Sequence, residues 1–179
     1  MVAHPPARPN QAVYLALLDG LRQIGVTLSA ALPDDWVAPL ADLLDAEPAV
    51  TSLRVAREPE IIAICSGAFF GGARAVGIMG ATGFLACVSE IATLNLRHQI
   101  PVFLIVSMRG GLHDLQVFQE LQGRVFVPLL RSLDLPHLVL DRPEKVALLP
   151  QAYEYGRLHK RPYVVCLSKA LVTGQVTEL

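Results

Sequence analysis

REPEIIAICSGAFFGGARAVGIMGATG, residues Arg57 to Gly83, holds the pattern that decides the fold. Its first half, Glu58 to Phe70, reads as a helix: Ile62, Cys65 and Phe69 follow Glu58 on one face at spacings of four, three and four. Its second half turns through glycines into a short apolar strand, Ala75 to Met79. The unit is one βα step, and the same alternation extends on both sides. Upstream lie a helix opened by Asn10 and stopped by Gly25, a strand within Val26–Leu32, a helix over Trp36–Leu44 and a strand near Ser52–Val55. Downstream come a helix near Leu85–Leu96 and a strand Val102–Val106. A loop from Ser107 to about Leu115 then leads to a helix ending at Leu133, a strand His137–Leu140, a helix from Pro143 to about His159 and a strand Tyr163–Leu167.

Strands such as VFLIV and YVVCL are apolar on both faces, which a parallel sheet covered by helices on each side requires. The expected fold is therefore a single α/β domain, doubly wound, with a six-stranded parallel sheet and helices on both faces. It spans residues 10–172, between a lead of residues 1–9 and a tail of residues 173–179.

Composition narrows the setting. Of the 179 residues 53% are hydrophobic and 17% charged, more apolar surface than a lone domain of this size easily covers, so a subunit interface is expected. The net charge of −1 and the scattered basic residues argue against nucleic acid. Arg74 and Glu90 cut the apolar run Ile61–Thr93 into pieces of 13 and 15 residues, too short for the roughly 20 of a membrane span. The lead has no apolar core of a signal peptide, and the three cysteines sit far apart in apolar runs, which suits a reducing cytoplasm. Neither a metal-ligand cluster, a dinucleotide or ATP glycine motif, nor a nucleophile elbow is present.

Gly67, Gly71, Gly72, Gly77, Gly80 and Gly83 are costly in helix and strand interiors. They imply that something approaches closely, either a helix of another chain or a ligand. Glu58, in a first helical turn after a strand, suits the helix dipole with no further role; it also aims a carboxylate along an apolar surface.

In order along nearly the whole chain, ALPDDWVAPLADLL (31–44), VAREPE (55–60), ICSGAFFGG (64–72), LNLRHQIPVFLIVSMRG (94–110) and GRVFVPLLRSLDLPHLVLDRPEKV (123–146) resemble the α chain of sulfopyruvate decarboxylase and the N-terminal domain of phosphonopyruvate decarboxylase. The resemblance implies a pyrimidine-binding domain of a thiamine-diphosphate enzyme, active only with a diphosphate-binding β subunit that also holds Mg²⁺. The expected assembly is a hetero-oligomer, and the expected substrate is a small anionic 2-oxo acid. It further implies that Glu58, nine residues before Gly67, is the catalytic carboxylate. Hydrogen bonding to N1′ of the aminopyrimidine would favour the imino tautomer, whose nitrogen takes the thiazolium C2 proton to give the ylide. Glu60 is expected to be a solvated or interface neighbour.

Thr82 and Gly83 are candidates for contact with the pyrimidine, although Thr82 suits equally a cap on the following helix. Arg109 and His113, beyond a strand's C-terminal end, are candidates to receive the substrate's anionic groups; the plain alternative pairs Arg109 with Asp114 and leaves His113 solvated. Two segments depart from the resembling proteins. GATGFLA (80–86) replaces a segment carrying two amide side chains, and Gly111-Leu112-His113-Asp114 follows Arg109-Gly110 where a glutamate is common. These departures keep open a thiamine-dependent carboligase subunit, a non-catalytic partner subunit, or an unrelated binding module on the same fold.

Overall fold

A computed structural model describes residues 10–111, 114 and 116–174. Six strands, β1 (Leu28–Leu32), β2 (Thr51–Arg54), β3 (Ala75–Gly80), β4 (Phe103–Ser107), β5 (His137–Leu140) and β6 (Tyr163–Leu167), form one sheet in the order β2-β1-β3-β4-β6-β5. Every neighbouring pair is parallel, as their double-sided apolar patterns require. The chain leaves β1 for β2 on one side and later returns to place β3 on the other, so β1 and β3 flank the point where the winding reverses.

Helices α1 (Gln11–Ile24), α2 (Ala38–Asp45), α7 (Leu149–Leu158) and α8 (Lys169–Thr173) cover one face. Helix α3 (Glu58–Phe70), the short α4 (Ala81–Ala86) and α5 (Val88–Glu90), a π-helical stretch Ile91–Leu96 and α6 (Glu120–Ser132) cover the other. Helix α1 buries Val13, Leu17, Leu18, Leu21 and Ile24, the positions of its apolar period, and Gly25 ends it at φ 76°. Asn10 stands at its N-cap without a side-chain cap bond; its backbone N–H donates instead to the Val172 carbonyl at 2.7 Å. The expected boundaries of α3, β5 and β6 coincide with the observed ones.

Three of the six clustered glycines meet their own chain. A Cβ on Gly77 would lie 2.6 Å from both Ile61 Cγ2 and Leu104 Cδ2, so its absence lets α3 settle onto β3 beside Leu104 of β4. Gly80 faces Asp34 and Gly83 faces Glu58. The close approach expected from another chain or a ligand is thus intramolecular at these positions, whereas Gly67 and Gly72 have nothing within 4 Å.

Helix α4 begins directly at the end of β3, four residues before the expected start at Leu85. Its GATG opening reads as a turn, but burial of Ala81 and Phe84, with Phe84 edge-on to Phe126 at 5.3 Å, overrides that local preference. The π-helical stretch turns Asn95 fully inward, where its Nδ2 donates to Ser66 at 2.9 Å. At the sheet's edge β2 is only four residues long; its Arg54 pairs with Asp42 at 2.8 Å and Asp45 at 2.6 Å. No helix among the described residues is long and apolar enough to cross a membrane. All three cysteines are free and buried.

Gly77→Ala should force Ile61 and Leu104 apart and cost about 1–3 kcal/mol of stability, as overpacking does in a closely filled core. Urea denaturation measures it, and an unchanged midpoint would show that α3 can retreat without loss.

Candidate active site

The C-terminal ends of the central strands converge where the winding reverses, the place at which open α/β sheets gather ligands. Asp34 follows β1, Glu58 follows β2, the Gly80–Gly83 segment follows β3 and Arg109 follows β4.

Glu58 is half-buried at the first position of α3. A Cβ on Gly83 would come 2.5 Å from its Oε1, so the carboxylate lies directly on bare backbone. It makes no hydrogen bond or ion pair among the described residues. Its neighbour Glu60 has the opposite fate: its Oε2 accepts from the backbone N–H groups of Ala56, at 3.1 Å, and Arg57, at 3.3 Å. That is half of a capping box, and it ties up Glu60 in holding the helix start. Of two carboxylates in the same turn, one is structural and one is free.

Cys87 lies on the inner side of Glu58, its thiol donating to the Gly83 carbonyl at 3.3 Å. Burial, then the negative charges of Glu58 and Glu90, push the thiol up to about 12, so it remains protonated and inert at neutral pH.

Thr82 is not the cap it suited on sequence, because Gly80 occupies the N-cap of α4. The Thr82 hydroxyl instead meets the Gln119 Oε1 at 3.2 Å. Gln122, oriented to donate to the carbonyls of Phe118 at 2.9 Å and Gln119 at 3.1 Å, offers its oxygen to the same hydroxyl at 3.0 Å.

Arg109 is 6% exposed. Its Nε donates to Asp114 at 2.8 Å, its two terminal nitrogens reach Gln116 at 2.6 Å and Asp34 at 3.5 Å, and its plane lies over the Trp36 ring at 4.5 Å. This is the pairing with Asp114 weighed from the sequence. Burial alone would raise Asp114, but the Arg109 hydrogen bonds and the Gly110 N–H outweigh it and hold the carboxyl below the usual carboxylate range. Asp34 ties the group to the rest of the edge: it accepts from the Trp36 and Val37 N–H groups and from the Ser107 hydroxyl. His113 lies outside the described residues.

The structure therefore sets Glu58 against Gly83, next to Thr82, and places Arg109 in a buried network that Asp34 joins to the same edge. Sequence reading overlooked Asp34, Trp36, Gln116, Gln119 and Gln122. The available signal was two glutamines spaced i, i+3 where α6 begins. Among the described residues no group of His, Cys, Asp and Glu is arranged to hold a metal ion.

No protein-family model matches the chain. In sequence it is similar to sulfopyruvate decarboxylase α subunits at 26–28% identity. That of Methanococcus maripaludis is 26% identical over 159 residues, covering 88% of this chain and 93% of that one. Phosphonopyruvate decarboxylase of Streptomyces viridochromogenes is 28% identical over 163 residues, but there 89% of this chain spans only 41% of the relative. These likenesses bear out the resemblance read from the motifs. Among solved structures, 2-oxoglutarate:ferredoxin oxidoreductase from Magnetococcus marinus superposes with a TM-score of 0.66 at 15% identity, over 90% of this chain and 29% of that chain. At that identity the match speaks for the fold alone.

Because the Asp114 carboxyl is depressed in the folded chain, its contribution to stability is present above the unfolded value of about 3.9 and disappears as pH falls through the lower folded value. Asp114→Asn should accordingly cost about 3 kcal/mol at pH 7, by leaving Arg109 short of its charge partner. The gap to wild type should narrow in a medium more acidic than the ordinary carboxylate range. Urea denaturation at the two pH values tests both; a gap that does not depend on pH would mean the pair carries no charge-dependent stability.

Proposed function

We propose that this chain is the α, pyrimidine-binding subunit of a two-chain thiamine-diphosphate-dependent decarboxylase acting on a small anionic 2-oxo acid of the sulfopyruvate or phosphonopyruvate type. The observation that carries the reading is the contrast between Glu58 and Glu60. A carboxylate that is half-buried, unpartnered and seated on a glycine at a sheet's switch point is suited to a ligand atom, and here its neighbour already performs the capping work. The relatives support a decarboxylase subunit.

Glu58, Thr82 and Gly83 are the residues that would hold the cofactor's aminopyrimidine, and the free carboxylate beside open backbone fits such a ring. Thiamine diphosphate supplies, when bound, a nucleophilic carbon and a sink for the electron pair released with CO₂. Glu58 holds and exchanges a proton at ring N1′. Gly83 gives the carboxylate a surface without a side chain, and Cys87 lines its inner side with a thiol that does not compete for the proton.

The diphosphate and Mg²⁺ are assigned to a β subunit. Two features support a second chain. The phosphonopyruvate decarboxylase of Streptomyces viridochromogenes is well over twice the length that this chain matches. Val117, Phe118 and Leu121, which are 87%, 71% and 52% exposed, form an apolar ridge around Gln119 at the edge of the site.

The decisive experiment is Glu58→Gln in the assembled enzyme. Turnover and hydrogen–deuterium exchange at the thiazolium C2 should fall by on the order of 10²-fold or more, since glutamine keeps the size of the side chain but cannot exchange its proton. Glu60→Gln should cost little, because an amide oxygen still accepts the two backbone N–H groups. If Glu60→Gln alone abolished C2 exchange, the register would be wrong by two residues; if neither change mattered, the thiamine reading would fall. In a second measurement, calorimetry of the purified chain with thiamine diphosphate and Mg²⁺ should show weak or no binding. Tight, Mg²⁺-dependent binding would remove the need for a β subunit.

A further inference from the structure

Helix α4 is six residues long, too short to persist on its own, and its N-cap has no capping side chain. Yet its third residue, Gly83, is the surface on which Glu58 rests. Whatever holds α4 therefore holds the carboxylate. On the inner side the hold is apolar: Ala81 and Phe84 are fully buried, and Phe84 meets Phe126 of α6. On the outer side it is polar and converges on one atom, the Thr82 hydroxyl, whose single proton is shared between the carboxamide oxygens of Gln119 and Gln122.

Those two glutamines are unusual in being 9% and 8% exposed, where glutamine is ordinarily a surface residue. Buried amides must find hydrogen-bond partners, and theirs are specific. Gln122 is anchored by the carbonyls of Phe118 and Gln119. The backbone around Gln119 is anchored in turn by Gly110, whose φ of 74° and contact with Gly123 admit no side chain: a Cβ there would fall 2.8 Å from the Gly123 nitrogen. The Arg109–Asp114 pair closes the same loop, with Asp114 accepting the Gly110 N–H at 3.0 Å. Described residues on both sides of the loop after β4 thus grip the turn after β3.

We propose that Gln119 and Gln122 are positioning residues of the site: by gripping the Thr82 hydroxyl they fix the α4 turn, keep Gly83 seated against Glu58 and so hold the carboxylate in one place. The geometric part stands on the contacts alone; its consequence for turnover rests on the function proposed above.

The pair Thr82→Val and Thr82→Ser tests it, since valine keeps the shape and loses the hydroxyl while serine keeps the hydroxyl. In the full chain, hydrogen exchange at the Gly83 and Phe84 amides should quicken about five- to tenfold in Thr82→Val, the scale of one lost hydrogen bond, and stay near wild type in Thr82→Ser. Exchange in β4 should not change. Gln122→Leu, which releases the grip from its other end, should repeat the local effect. In the assembled enzyme Gln122→Leu, which leaves the three cofactor-facing residues intact, should lower kcat about tenfold with KM within about twofold. Unchanged exchange at Gly83 in both Thr82→Val and Gln122→Leu would overturn the proposal, as would quickening spread equally through β4. If exchange quickens as expected but Glu58→Gln leaves turnover intact, the grip is real and the thiamine reading is what fails.

Discussion

The seating of α3 on β3 governs the rest of the molecule. It is possible only because Gly77 has no side chain between Ile61 and Leu104. From that contact the helix axis follows, and with it the placing of Glu58 at the helix's first turn, above the end of the neighbouring strand. A second missing side chain, at Gly83, then lets the carboxylate lie against the turn that leaves β3. Two glycines in register along one strand and its exit thus translate backbone packing into the position of a functional group.

Most of the architecture was legible in local pattern, because a buried parallel strand and an amphipathic helix each write a period into the chain. Helix α3 and strands β5 and β6 could be bounded from residue types alone. Helix α4 could not: Gly80-Ala81-Thr82-Gly83 has the composition of a turn, and the burial that makes it helical comes from Phe126, far along the chain. The candidate site divides the same way. Glu58 and Gly83 stand out through their neighbours in sequence, whereas Thr82 finds Gln119 across 37 positions and Arg109 finds Asp34 across 75. Such pairs leave no periodic trace, so a reading of one sequence left Thr82 between pyrimidine contact and helix cap and overlooked both glutamines.

The Asp34–Arg109–Asp114 network is the main concentration of buried charge in a chain that is otherwise strongly apolar at its centre. Burying ions is seldom a net source of stability, since desolvation offsets much of the attraction. What the arrangement contributes is discrimination among loop conformations. The described residues after β4 satisfy the guanidinium, the Gly110 N–H and the Trp36 face together. An apolar plug of equal volume could hold the loop down but would tolerate several poses. The site's polar wall depends on having one.

The outer strand β2 has a bearing on how copies of the chain can meet. Parallel sheets end in a row of unpaired backbone groups that can recruit a strand from any neighbour, a route to open-ended stacking. Here the edge is four residues short and its Arg54 is drawn back onto Asp42 and Asp45, so a second sheet would have to dock against a charged, abbreviated rim. Growth of the sheet beyond six strands is discouraged at that border.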